Sequence, residues 1–171
     1  MPFIKESSTR SSYYGTSQYA YYPIINVDWD QASAYCQWAA RRLPTEAEWE
    51  KAALDNDGRN FPWGNQTPTC YLANFSGCEG DTSAVDSHPA GKSPYGALDM
   101  AGNVWEWVPD WYNYNYYRQS PSNNPTGPAS GGTRVLRGGA WPGQYIFSYV
   151  RYQYPPGFGN DFIGFRCAAS S

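Results

Sequence analysis

The stretch YGALDMAGNVWEWVPDWY, residues 95–112, decides how the rest of the chain is read. Trp105 and Trp107 alternate with their neighbours at the period of two that marks a strand. Upstream, residues 55–103 carry almost no period of either kind, only turn chemistry in NDG, PWGN, SGCEG and HPAGKSPYG. An irregular span of that length needs tethers. A bridge between Cys70 and Cys78, a buried Trp63 and bound ions are the candidates.

Further upstream lies the clearest helix start, LPTEAEWEKAAL. Thr45 and Glu48 form a capping box, and Pro44 stops the preceding helix. Trp49, Ala52 and Ala53 give the helix an apolar stripe. An earlier helix starts from Asp28 or Asp30 and runs to about Arg41, after a short extended PIINV. Residues 1–22 are polar and rich in Tyr and Ser, and read as a surface arm; residues 23–171 read as one domain. Downstream, YNYNYYRQSPSNNPTGPASGG is a second irregular loop, and TRVLRGGAW and IGFRCA read as two more short strands. The fold class expected is α+β, with two helices, short antiparallel strands and long irregular loops.

The composition agrees. The 171 residues are 18% aromatic and only 16% charged, with 17 Gly and 14 Pro, as in a loop-rich globule pinned by large side chains. The net charge of −3, without a basic run, sets nucleic-acid binding aside, because phosphate neutralisation supplies much of that affinity. No apolar run approaches the ~18 residues of a membrane span, and the first ten residues lack a signal peptide's apolar core. Cys36, Cys70, Cys78 and Cys167 form no CxxC pair, and a single His88 gives no Cys/His zinc spacing. Two disulfides in any of three connectivities, or four buried thiols, are both open to such a set.

One segment is crowded with rings that cannot all be core. WPGQYIFSYVRYQYPPGFGND, residues 141–161, holds Trp141, Tyr145, Phe147, Tyr149, Tyr152, Tyr154 and Phe158. Read as extended chain, it puts Tyr145, Phe147 and Tyr149 on one face and Ile146, Ser148 and Val150 on the other. Arg151 then shifts the phase, as a bulge or turn does. Tyr, Ser, Gly and Asn around Phe, Trp and Ile anchors make up the composition of a paratope. Core packing is the competing reading, and it holds best for Trp141, Val150 and Phe165.

Five motifs in order, AYCQWAARRLPTEAEWEKAA, FPWGN, YGALDMAGNVWEWVPDWY, RVLRGGAW and IGFRCA, resemble the formylglycine-generating enzyme (sulfatase-modifying factor) superfamily over about residues 23–169. The resemblance implies a C-type lectin-like fold with sparse regular structure. It implies a disulfide between Cys36 and Cys167, against the alternative of two abutting thiols. The oxidases of that superfamily hold copper through two cysteines between RGG and GFR, as a soft Cu(I) centre requires. Here no cysteine stands between Arg137 and Phe165; the two positions fall near Pro142 and Gly143 and near Ile146 and Phe147. One histidine also cannot supply the multi-histidine site of an iron-dependent branch. The expectation is therefore no enzyme and no copper.

The resemblance also implies a structural calcium at the Asp99 side chain, the Gly102 and Val104 carbonyls and the Glu106 side chain. A hydrogen-bonded loop without the ion is the alternative. A second, weaker set is Asn74, Phe75 and Asp81. The lectin sugar motifs E-P-N, Q-P-D and W-N-D do not occur.

Variable proteins of diversity-generating retroelements share this fold, with a diversified region between a fixed RGG-W and a fixed IGFR. Residues 141–162 resemble such a region. Arg137, Gly138, Gly139, Trp141, Val150, Arg151, Ile163, Gly164 and Phe165 would be its frame. Gly143, Gln144, Tyr145, Phe147, Tyr149, Tyr152, Tyr154, Phe158, Asn160, Asp161 and Phe162 would be its ligand-contacting positions. The function expected is a monomeric, surface-displayed or extracellular receptor for a protein or other surface ligand. A fixed-sequence interaction module and a formylglycine-generating-type oxidase are the alternatives.

Overall fold

The computed structural model describes residues 7–10 and 12–169. Both capping signals act as read. Asp28 caps α1 (Trp29–Trp38) and Thr45 caps α2 (Glu46–Ala53), each in a reciprocal box, with Gln31 and Glu48 respectively. Helix α1 ends earlier than expected. Ala40 turns to φ +53° and the Arg41 N–H returns to the Cys36 carbonyl at 2.7 Å, closing the last turn.

The strands are β1 (Trp105–Trp111), β2 (Arg134–Arg137), β3 (Tyr152–Tyr154) and β4 (Ile163–Gly164), in the sheet order β3-β2-β1-β4. β2 runs antiparallel to both β1 and β3, but β4 pairs parallel to β1. The all-antiparallel expectation is corrected there. After β3 the chain docks on the start of α1, with the Trp29 N–H on the Pro156 carbonyl and the Asn26 N–H on the Asn160 carbonyl, both at 2.9 Å. It therefore reaches the far side of β1 already pointing along it. PIINV joins no strand, because Asn26 takes a left-handed φ of +56° between buried Ile25 and Val27.

The core lies between the helices and the sheet. Ala32, Cys36, Leu43, Trp107, Leu136 and Ile163 form one cluster, and Trp49, Ala53, Met100, Val108 and Val135 a second. Cys36 is bonded to Cys167, and Cys70 to Cys78. Among the described residues no helix is long and apolar enough to cross a membrane.

The irregular span of residues 55–103 is tethered by the short bridge and by buried Phe61, Leu72, Ala73 and Asn74. Trp63, expected to be buried, is only half-buried; it stacks flat on Phe61 at 5.1 Å, and its Nε1 donates to the Gln66 carbonyl. The N-terminal segment is no free arm, at least from Ser7 onward. Tyr13 is 3% exposed and packs with Ile25 and Val104, while its hydroxyl donates to the Pro23 carbonyl at 2.8 Å. A tyrosine brings ~150–250 Å² of surface to bury, which outweighs the polar character of its neighbours.

Candidate functional site

The ring-rich window is held from beneath by buried charge. Arg137, at the end of β2, is fully buried, and Glu46, the first residue of α2, is 1% exposed. Arg137 Nη1 lies 3.2 Å from Glu46 Oε1, and Nη2 pairs with Glu50. The same guanidinium donates to the Ser148 carbonyl at 2.7 Å and the Tyr149 carbonyl at 3.4 Å. Arg151 grips Glu46 from the other side, Nε on Oε1 at 2.6 Å and Nη2 on Oε2 at 2.9 Å. One carboxylate thus anchors two arginines, and the arginines fix both the backbone and the downstream end of the window. Charge-assisted bonds of this kind are about twice as strong as neutral ones.

Glu46 has a third partner. Its N–H donates to Asp110 Oδ2 at 2.8 Å, and Asp110 is 1% exposed. Burial pushes the Asp110 carboxyl up to about 6; the Glu46 carboxylate adds to the rise, while the Glu46 N–H and Arg151 oppose it. Because the folded pKa lies above the ordinary value, this group's stabilisation is complete below about pH 4 and is lost as pH rises through about 6. At ~1.4 kcal/mol per unit, Asp110→Asn should remove about 2–3 kcal/mol of pH dependence between pH 4 and 7. Denaturant melts of both proteins across that range measure it.

Above this anchor the window alternates as its sequence implies, although its backbone turns rather than runs as a strand. Ile146 is 1% and Ser148 0% exposed, whereas Tyr145 is 72% and Tyr149 54% exposed. Gly139 makes the inward step possible: at φ +78°, a Cβ there would lie 2.8 Å from the Tyr145 carbonyl oxygen. A turn closed by the Val150 N–H on the Phe147 carbonyl at 3.0 Å supplies the phase shift before β3. Phe147 is half-buried within a continuous four-ring stack. Trp63 lies on Phe61, Phe61 on Phe147 at 4.9 Å, and Phe147 on Tyr149 at 5.2 Å.

The window divides in two. Gln144, Tyr145, Tyr149 and Tyr152 are exposed, with Gly143 and Phe147 half-buried among them. The downstream residues are docked. Tyr154 stacks on Phe158 at 4.1 Å, and both pack with Phe162 against the cluster around Trp107. Asn160 carries the carbonyl that accepts from Asn26, and Asp161 is buried, its carboxylate accepting from Ser8 Oγ. Trp141 Nε1 reaches the Asp161 carbonyl at 3.4 Å.

The first candidate calcium set lies elsewhere. Asp99, Val104 and Glu106 line a cavity of about 350 Å³ with Asp86, Asn103 and Arg166. Asp99 Oδ2 accepts the Asp86 N–H at 3.0 Å, and burial holds the Asp99 carboxyl above its usual range. Glu106 accepts Trp49 Nε1 at 2.7 Å and two Arg166 nitrogens at 2.6 Å. A carboxylate offers about four acceptor positions, so both side chains keep some free. Gly102 bends the loop against a neighbour, where a Cβ would meet the Asn74 carbonyl oxygen at 2.2 Å. The oxygen donors are of the type calcium takes, but the Arg166 guanidinium already pairs with both Glu106 oxygens and Gly102 does not line the cavity, so the protein's own hydrogen bonds also hold the loop.

The second set does not fit. Asp81 is 4% exposed and pairs with Arg10 at 3.3 Å, while Ser7 Oγ donates to it at 3.2 Å. The Asn74 side chain is taken by the Asp81 carbonyl at 2.7 Å and the Glu79 N–H at 3.3 Å. The cation at Asp81 is a residue of the chain itself.

These features meet in one family. Residues 4–171 match the sulfatase-modifying factor enzyme 1-like domain. The chain belongs to that family. It is 44% identical over 155 residues to the serine/threonine-protein kinase pkn1 of Chlamydia caviae, covering 88% of this chain and 24% of that protein. It is 37% identical over 164 residues to the formylglycine-generating enzyme of Streptomyces coelicolor, covering 86% of this chain and 52% of the enzyme. The chain spans about a quarter to a half of the length of the curated relatives it matches. Among solved structures, Treponema denticola variable protein 1 superposes with a TM-score of 0.75 at 25% identity, over 97% of this chain and 75% of that one. The fold is the C-type lectin-like one that this family and such variable proteins share.

Sequence reasoning did not single out Glu46, Asp110 or Arg10. An acidic residue in a first helical turn reads as a solvated dipole partner, and no local pattern announces that two distant arginines converge on it.

Proposed function

We propose that this chain is a non-enzymatic variable protein of a diversity-generating retroelement, binding a protein ligand through Tyr145, Tyr149, Tyr152 and their neighbours. One observation carries the reading: the window's exposed rings sit on a backbone fixed from below by Arg137, Arg151 and Glu46. Side chains at those outward positions can change while the anchor stays constant, which a diversified surface requires. All four cysteines stand in disulfides, and none lies between Arg137 and Phe165. That supports the absence of copper-thiolate oxidation, which needs a thiolate pair. The two disulfides also support an extracellular or cell-surface setting. The chain acts as a monomer in this reading.

The experiment is a pair of truncations. Tyr145→Ala should cost under ~0.5 kcal/mol, and Tyr149→Ala about 1 kcal/mol through the lost stack on Phe147. Either should abolish ligand binding, as loss of an interface anchor does. A loss of several kcal/mol in either variant would assign these rings to the core and defeat the proposal.

Calcium belongs to the same proposal, with Asp99, Gly102, Val104 and Glu106 as its holders and a purely structural role. Added calcium should stabilise the fold by ~2.7 kcal/mol at a hundredfold excess over Kd, seen as a higher melting temperature that a chelator reverses. Asp99→Asn should abolish the response. An unchanged melting curve with and without calcium would remove the ion from this reading.

A further inference from the structure

The loop that follows β1 has no role in the reading above, yet it carries the same chemistry as the window. Residues 112–118 read YNYNYYR. Tyr114 is 76% and Tyr117 42% exposed. Among the described contacts Tyr114 makes no hydrogen bond and no ring pair, so its exposed ring has no structural task within the chain.

The loop is nevertheless ordered. Asn113 Oδ1 accepts the Asn115 N–H at 2.8 Å, and a 3-10 turn follows over Tyr116–Arg118. Tyr116 and Tyr117 meet edge to face at 5.4 Å. Most telling is Arg151. While bound to Glu46, this window residue donates to the Asn113 carbonyl at 3.1 Å and lies over the rings of Tyr112 at 4.8 Å and Tyr117 at 5.0 Å. One guanidinium therefore fixes the window and the loop in a single arrangement, so the two surfaces are contiguous.

We propose that residues 113–118 form an invariant second wall of the ligand-binding face, with Tyr114 and Tyr117 contacting the same protein partner as the window. This rests on the window being the binding surface. The chemistry selects a protein. The two walls present phenol rings beside the amides of Asn113, Asn115 and Gln144, the mixture that packs against peptide surface. They lack the basic stripe a nucleic acid demands. Being held in place before binding, the loop adds contact area at small entropic cost.

The test uses a displayed library of the full chain, randomised at positions 144, 145, 149 and 152, selected against one purified folded protein, hen lysozyme, as probe. Selected clones then receive Tyr114→Ala, alone and with Tyr117→Ala, and are checked for an unchanged melting temperature. Tyr114→Ala is decisive, because that ring touches nothing whose loss unfolds the chain. The expected result is at least tenfold weaker binding to lysozyme in most clones. Binders indifferent to both substitutions overturn the second wall and leave the window intact as the site. A folded library that yields no binder overturns the window reading, and the second wall with it.

Discussion

Glu46→Ala loses about 3–5 kcal/mol of folding free energy, the cost of leaving buried charge unpaired. The alanine chain keeps Arg137 fully buried without its 3.2 Å partner and frees Arg151 of both bonds to the same carboxylate. Glu50, half-exposed, retains only part of the Arg137 charge. Glu46→Gln should recover little, because an amide supplies one acceptor oxygen where the two guanidinium groups use a full negative charge. The effect reaches the binding face as well. Arg137 holds the Ser148 and Tyr149 carbonyls, so the window should loosen in step with the stability loss. Urea melts of the three proteins, with hydrogen exchange at residues 146–151, measure both. A loss under about 1 kcal/mol in Glu46→Ala would show that the anchor carries nothing.

Opening the long disulfide is expected to cost about as much, by a different route. The bridge from Cys36 to Cys167 spans a sequence separation of 131 and ties α1 to the chain just beyond β4. In the chain-entropy treatment a loop of that length contributes ~4–5 kcal/mol by restricting the unfolded chain. The bridge from Cys70 to Cys78, separated by 8, contributes ~2–3 kcal/mol on the same formula. Cys36→Ala with Cys167→Ala should therefore lower the melting temperature distinctly more than Cys70→Ser with Cys78→Ser. Equal losses would mean that native packing, rather than loop length, sets the worth of each bridge.

What the sequence made legible divides along a physical line. Signals written within a few residues came through: the capping box of Thr45 and Glu48, the alternating tryptophans of β1 and the in-out rhythm from Tyr145 to Tyr149. Signals that depend on where a distant segment lands did not. The parallel pairing of β4 follows from docking residues 155–162 on α1, and a two-residue strand has no pattern of its own to reveal it. The same docking turns Tyr154, Phe158 and Phe162 toward the core and buries Asp161, though their composition matches the exposed half of the window. Ser7, Arg10 and Tyr13 reverse the reading of an arm for a similar reason: polar neighbours hide the tyrosine rings and the ion pair that join it to the domain. The candidate face was legible as chemistry, but its anchor at Glu46 was not.

The claim that this surface is diversified is tested most directly by sequencing codons 137–167 across a population of the source organism. The expected outcome is substitution at adenines, concentrated in the codons of outward-facing Gln144, Tyr145, Tyr149 and Tyr152, with Arg137, Ile146, Ser148 and Arg151 constant. A window as invariant as its flanks would mean that these rings serve one fixed partner or the core, and diversification would be abandoned.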